Sequence, residues 1–170
     1  DMRRILLTCT LAFTLLPVFG GEGKAPPMNK EKSLLIDYVD PFIGTTNFGT
    51  TNPGAVCPNG MMSVVPFNVM GSADNTYDKD ARWWSTPYEY TNCFFTGYSH
   101  VNLSGVGCPE LGSLLLMPTT GELNVDYKEY GSKYKDEQAS PGYYSNYLTK
   151  YNIKTEVSAT PRTSIARFTF

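Results

Sequence analysis

Along the C-terminal half of the chain, apolar and polar residues alternate with a period of two. In residues 151–160, Tyr151, Ile153, Val157 and Ala159 fall on one side, and Asn152, Lys154, Glu156 and Ser158 on the other. Successive side chains of an extended chain point to opposite faces, so this is the pattern of a half-buried strand. Leu123, Val125 and Tyr127 alternate with Glu122, Asn124 and Asp126 and predict another strand. Residues 143–148 follow a Pro141-Gly142 turn and again read as extended. Residues 114–117 form a continuous apolar run stopped by Pro118, expected as a strand buried on both faces. Residues 61–65 read similarly and are stopped by Pro66. Ala166, Phe168 and Phe170 alternate with Ile165, Arg167 and Thr169 up to the last residue, the pattern of a strand cut within a larger β domain. No run after the N-terminal residues has a helical period, and 12 prolines with 15 glycines oppose long helices. The expected fold is all-β, an antiparallel β-sandwich of two sheets over residues 34–170.

The first residues have a different pattern. Arg3 and Arg4 precede an apolar run over residues 5–19, and small residues follow at Gly20 and Gly21. A short basic start, an apolar stretch too short for a comfortable membrane span and a small-residue step predict a signal peptide over residues 1–20. Residues 21–33 are rich in Gly, Pro and Lys and predict a flexible linker. This reading places the protein outside the cytoplasm, secreted or periplasmic, with no membrane span after cleavage.

Composition narrows the function classes. Removing residues 1–20 takes away Asp1, Arg3 and Arg4, so the net charge moves from −2 to −3. No basic stripe invites nucleic acid. Three cysteines remain, Cys57, Cys93 and Cys108, without a C-x-x-C element that would suggest structural zinc. The single histidine, His100, would need Ser104 or Cys108 as nucleophile, and neighbours on one bend rarely aim two groups at one reacting atom.

Between Gly71 and Thr96 the alternation is lost and the sequence reads GSADNTYDKDARWWSTPYEYTNCFFT. A segment of this length without a clear period is often functional. Its aromatic residues include Trp83, Trp84 and Tyr88, and aromatic faces are suited to the apolar C–H face of a sugar ring while polar neighbours take its hydroxyls. The other reading has these rings capping the sandwich core. Asp74, Asp78 and Asp80 lack the spacing of an EF-hand and read as a solvated face.

Four blocks then resemble one family. GYSHVNLSGVGC (residues 97–108) resembles the GFSHTHLSGTGC-type signature of glycoside hydrolase family 92, and its continuation LGSLLLMPTTG is also similar. DPFIGT (residues 40–45) followed by NPGAVCPNGM (residues 52–61) is similar to the family's F-PGA-P-GM block. WWSTPYEY (residues 83–90) matches its W-C-S-G-Y-x-Y element, with Trp84, Tyr88 and Tyr90 on the aromatic positions. The chain departs from these patterns at Asn102, where the family has a second histidine, and at Ser85, Pro87 and the TNFGTTN loop.

The resemblance implies the N-terminal β-sandwich of an exo-acting α-mannosidase, of the α-1,2 type common in the family. Its active site would lie against a following (α/α)6 barrel. It implies hydrolysis with inversion, in which one carboxylic acid protonates the leaving oxygen and a carboxylate activates water. The acid, the base and most ligands of a calcium ion (Ca2+) would belong to the barrel, so no catalytic or metal-ligating residue is assigned to this chain. The expected contacts to a mannose-containing glycan are Trp83, Trp84, Tyr88, His100, Asn102 and Ser104. Cys57 and Cys108 are expected to serve packing, or to form a disulfide if the fold brings them together. The rival expectation is a secreted carbohydrate-binding or adhesion module without catalysis.

Overall fold

The computed structural model describes residues 34–46, 50–69, 87–102 and 111–170, and of Leu111 only the backbone. The expected signal peptide and linker, with Trp83, Trp84, Ser104 and Cys108, lie outside the described residues. Residues 33–170 make one compact unit. A 3-10 turn at Leu35–Tyr38 leads into the strands β1 (Ala55–Val56), β2 (Ser63–Phe67), β3 (Phe94–Phe95), β4 (Gly97–Asn102) and β5 (Leu111–Leu116). One helical turn, α1 (Tyr127–Tyr130), precedes β6 (Ser132–Ser140), β7 (Tyr143–Leu148), β8 (Ile153–Ala159) and β9 (Ser164–Thr169).

The strands form two antiparallel sheets, β1-β2-β4-β5 and β3-β6-β7-β8-β9, as the alternation predicts. Chain crossing between them occurs at Thr96, whose amide donates to the Phe67 carbonyl at 2.9 Å. In β8, Ile153, Thr155, Val157 and Ala159 are buried while Lys154, Glu156 and Ser158 face out. These inward residues meet Ala55, Val64, Tyr98, Tyr144 and Leu148 in the core. Phe95, Tyr98 and Tyr144 pack edge-on, with ring centroids 5.0 and 6.0 Å apart along the series. The buried Tyr98 hydroxyl is satisfied by Thr155 Oγ1 at 2.5 Å, as a buried polar group requires.

Three sequence expectations are corrected. The Leu114–Leu116 run is not buried on both faces: β5 is an edge strand and Leu114 is 57% exposed. β1, β2 and, through Tyr98, β4 of the smaller sheet lie under β7 and β8, and the cover ends before β5. Residues 123–127 do not form a strand. Asn124 Oδ1 accepts from the Asp126 amide and Asp126 Oδ1 from the Lys128 amide, so local side-chain bonds start α1 and leave Leu123 80% exposed. Pro66 does not stop β2, which runs on to Phe67. Pro66 pairs with Tyr98 on one side, and on the other the β1 ladder ends at Val64, so the missing N–H deprives no neighbour.

A bulge interrupts β6. Lys135 pairs with Tyr147 and Gln138 with Ser145, which sets Asp136 and Glu137 against Asn146 alone. Asp136 takes a left-handed conformation, φ 53°, and the extra residue turns Glu137 to the inward side.

Candidate functional site

The site is built outward from the end of β4. His100 pairs with Val64 and Leu114, and its Nδ1 hydrogen-bonds the Leu114 carbonyl at 3.2 Å. In a regular strand Asn102 would share the face of His100. The chain departs from regularity at Val101, φ 58°, a conformation that is unusual for a β-branched residue. On β5 two residues, Gly112 and Ser113, stand opposite Val101. The result turns Asn102 to the other side, where its Oδ1 accepts from Ser99 Oγ at 3.0 Å. Gly112, φ 90°, makes this bond accessible: a Cβ there would lie 2.7 Å from Ser99 Oγ and 3.0 Å from Asn102 Oδ1. Ser63 Oγ accepts from the Asn102 amide at 2.8 Å and fixes the bend against β2. The structure therefore sets His100 and Asn102, both expected as glycan contacts, on opposite faces of β4.

Asn102 lines a cavity of about 580 Å³. Pro41 from the DPFIGT block, Asn52 and Gly54 from the NPGA block, and Ser63 share its wall. Gly54 sits so close to β2 that a Cβ would lie 2.6 Å from the Val64 carbonyl oxygen, which explains a glycine in that block. Cys57, also in the wall, is a free thiol that donates to the Ala159 carbonyl at 3.2 Å. This is the packing role expected of it. Asn102 Nδ2 is buried without a hydrogen-bond partner. An amide N–H seeks an oxygen acceptor and repels a cation. Among the described residues the wall contains no carboxylate, and no three of His, Cys, Asp or Glu gather to hold a metal. The described wall therefore offers no charged oxygen ligand of the kind that dominates calcium sites.

The aromatic segment is anchored at both of its stems. Asn68, fully buried after β2, donates its backbone N–H to the Pro87 carbonyl at 3.0 Å. Its side-chain oxygen accepts from the Glu89 amide at 2.8 Å. Its side-chain nitrogen shares two hydrogens among the Glu89 carbonyl (2.9 Å), the Asn92 carbonyl (3.3 Å) and the Tyr134 hydroxyl (2.8 Å). Asn92 Nδ2 donates back to the Asn68 carbonyl at 2.9 Å. Tyr90 reaches the DPFIGT block: its amide donates to the Thr45 carbonyl at 2.9 Å and its ring meets Phe42 edge-on at 5.7 Å. Tyr88 is fully buried, so its ring offers no face at the surface of this unit. Sequence reasoning missed Asn68, Ser63 and Gly54. An asparagine directly before a long aperiodic segment was the available signal for the first, since such residues tie loop backbones.

The comparisons with known proteins agree with this arrangement of blocks. Residues 38–170 match the glycosyl hydrolase family 92 N-terminal domain. The fold is similar to that of the family GH92 α-mannosidase BT3965 from Bacteroides thetaiotaomicron, with TM-score 0.67 and 33% identity over 79% of this chain. That protein has also been solved with mannoimidazole. The family member ccman5 is similar at TM-score 0.62 and 30% identity, again over 79% of this chain. The inverting mannosidase BT2199 from Bacteroides thetaiotaomicron VPI-5482 is similar at TM-score 0.57 and 26% identity over the same share. The chain spans 18–19% of the length of these proteins. No curated protein matches it. By the match over most of its length, the chain belongs to glycosyl hydrolase family 92, where it corresponds to the N-terminal domain.

Proposed function

We propose that this chain is the N-terminal domain of an exported exo-α-mannosidase, of the α-1,2 type, that hydrolyses α-mannosidic bonds of glycans with inversion. The observation that carries the reading is the convergence of Pro41, Asn52, Gly54 and Asn102, from three separate sequence blocks, on one cavity. In this proposal Asn102 and the segment with Trp83 and Trp84 form one rim of the mannose pocket, with His100 and Ser104 bordering it. The proton-transferring carboxylates, set apart to admit a water, come from polypeptide beyond this chain. Calcium, where the whole protein binds it, is held there too. The exposed leucines of β5 support further polypeptide packing on this domain, because an edge strand with apolar side chains and no charge is a pairing hazard when bare. Export rests on the pattern of residues 1–20.

The test is release of mannose from α-linked mannobioses by the full-length gene product, with and without a calcium chelator, beside the 170-residue chain. Activity only in the long form, lost on chelation and yielding β-mannose first, is the expected result. A verified full-length protein that binds mannosides without cleaving them would replace the enzyme with a carbohydrate-binding module.

A further inference from the structure

The outer face of the larger sheet carries a cluster that neither the core nor the cavity uses. On β8, Ser158 stands between Tyr143 of β7 and Ile165 of β9, and the next outward residue, Glu156, pairs with Arg167 of β9. Glu156 is held from three directions. Its Oε2 accepts from Arg167 Nε at 2.7 Å, with Nη2 at 2.6 Å. Its Oε1 accepts from the Tyr143 hydroxyl at 2.9 Å, with Lys154 Nζ at 3.4 Å. Arg167 and then Tyr143 keep its carboxyl below the usual carboxylate range, so it stays charged. Exposed ion pairs contribute little to stability. Order of this kind matters more for what the groups can recognise.

These side chains wall a hollow of about 210 Å³. One wall is apolar, formed by the Tyr143 ring and by Ile165, which is 71% exposed. The other is polar, formed by Glu156 and Arg167. Among the described residues Arg167 Nη1 has no partner, so the guanidinium keeps a fixed direction and has N–H groups left over. A pyranose has the same two sides, a C–H face that packs on an aromatic ring and hydroxyls that both donate and accept. The guanidinium and the carboxylate offset each other, so the hollow is complementary to a neutral ligand rather than to an ion. It is also joined to the cavity. Ser140, Pro141 and Gly142 line the cavity, Tyr143 comes next in the chain, and Ser158 Oγ in the hollow donates to the Gly142 carbonyl at 2.8 Å. The two therefore meet at one turn.

We infer that this hollow is a second sugar subsite, which takes a neutral pyranose of the same glycan beyond the units that reach the cavity. The assignment rests on the proposed action on mannose-containing glycans. It is tested in the full-length protein with R167A, Y143A and Y143F. KM and kcat are measured on an α-linked mannobiose and on a polymeric α-mannan, and retardation of the native protein is measured in gels that contain the mannan. R167A and Y143A are expected to raise KM on the mannan about fivefold with kcat within about twofold. On mannobiose, too short to span both sites, KM should stay within about twofold. Y143F keeps the ring and should stay within about twofold of the wild type on both substrates. Equal losses on both substrates would mark a structural role and overturn the inference, as would an unchanged KM on the mannan. Where Y143A does not fold, R167A decides through the same readouts, since its side chain is exposed. A wild-type protein that releases no mannose would refute the mannosidase reading, and the gels then decide. Retardation lost in R167A supports the subsite, and retardation absent from the wild type or retained in R167A overturns it.

Discussion

Replacing Asn68 by aspartate changes one nitrogen to oxygen inside the tie that closes the aromatic segment. The bond from the Glu89 amide to the side-chain oxygen survives. The donors to the Glu89 and Asn92 carbonyls do not, and those carbonyls then face a carboxylate oxygen at 2.9 and 3.3 Å. Two lost hydrogen bonds cost about 1 kcal/mol each, and a carboxylate buried beside carbonyls adds several kcal/mol until it takes up a proton. The expected loss at neutral pH is about 3–5 kcal/mol. For a domain of this size 1 kcal/mol moves the melting point by roughly 3–5 °C, so N68D should melt roughly 10–20 °C lower. The new acid is buried, so its folded proton affinity exceeds the unfolded one. The penalty is therefore absent below the unfolded value and grows as pH rises through the folded value. Scanning calorimetry of the full-length protein at pH 5 and pH 8, read at the transition in which this domain unfolds and with N68A as the uncharged reference, measures both the size and the sign. A drop smaller than about 3 °C, or one no larger at pH 8 than at pH 5, would refute the account of Asn68 as the closing tie.

Gly54→Ala should destabilise by about 1–3 kcal/mol despite the entropy it removes from the unfolded chain, because its Cβ would meet the Val64 carbonyl oxygen and Val65 Cα at 2.6 and 2.8 Å; denaturant titration reads the difference. Asn102→Ala should lower kcat/KM for an α-mannoside at least about tenfold, while His100→Ala, on the opposite face, should lower it less than about threefold. Equal effects would contradict the split that Val101 imposes. Wild-type stability should fall as pH rises above the ordinary glutamate range, because the raised proton affinity of half-buried Glu137 stabilises the fold fully below its unfolded value and loses that effect as pH passes the folded one. Melting curves of E137Q should lack this fall.

Period-two alternation made β8 and β9 legible because each has one face on the core, and the Pro141-Gly142 turn with the aromatic residues after it marked β7; these signals are local to the strand. Whether Leu114–Leu116 lies at the centre or the edge of a sheet is not local. It depends on how far β7 and β8 extend over the smaller sheet, so the same leucines were expected inside and are outside. Residues 123–127 misled for another reason: Asn124 and Asp126 offer the backbone side-chain partners that outcompete a ladder. The blocks around Pro41, Gly54 and Asn102 could be read as belonging to one family, but their meeting at one cavity needed the fold. The inward turn of Glu137 did leave a trace. Tyr134 and Ala139 both pack on the core from β6 yet stand five apart, an odd interval that a strand can accommodate only with an extra residue.

The bond from the Asn68 amide to the Pro87 carbonyl has an engineering consequence. Both ends of the segment 70–86 are held at one point of the sandwich by the scaffold's own hydrogen bonds. Doubling the length of such a closed stretch adds only about 0.6 kcal/mol of closure entropy. With its ends held in this way, the length of the segment can change without redesign of the sheets. Grafting a segment from another family member between Asn68 and Pro87, with both stems retained, tests that freedom directly.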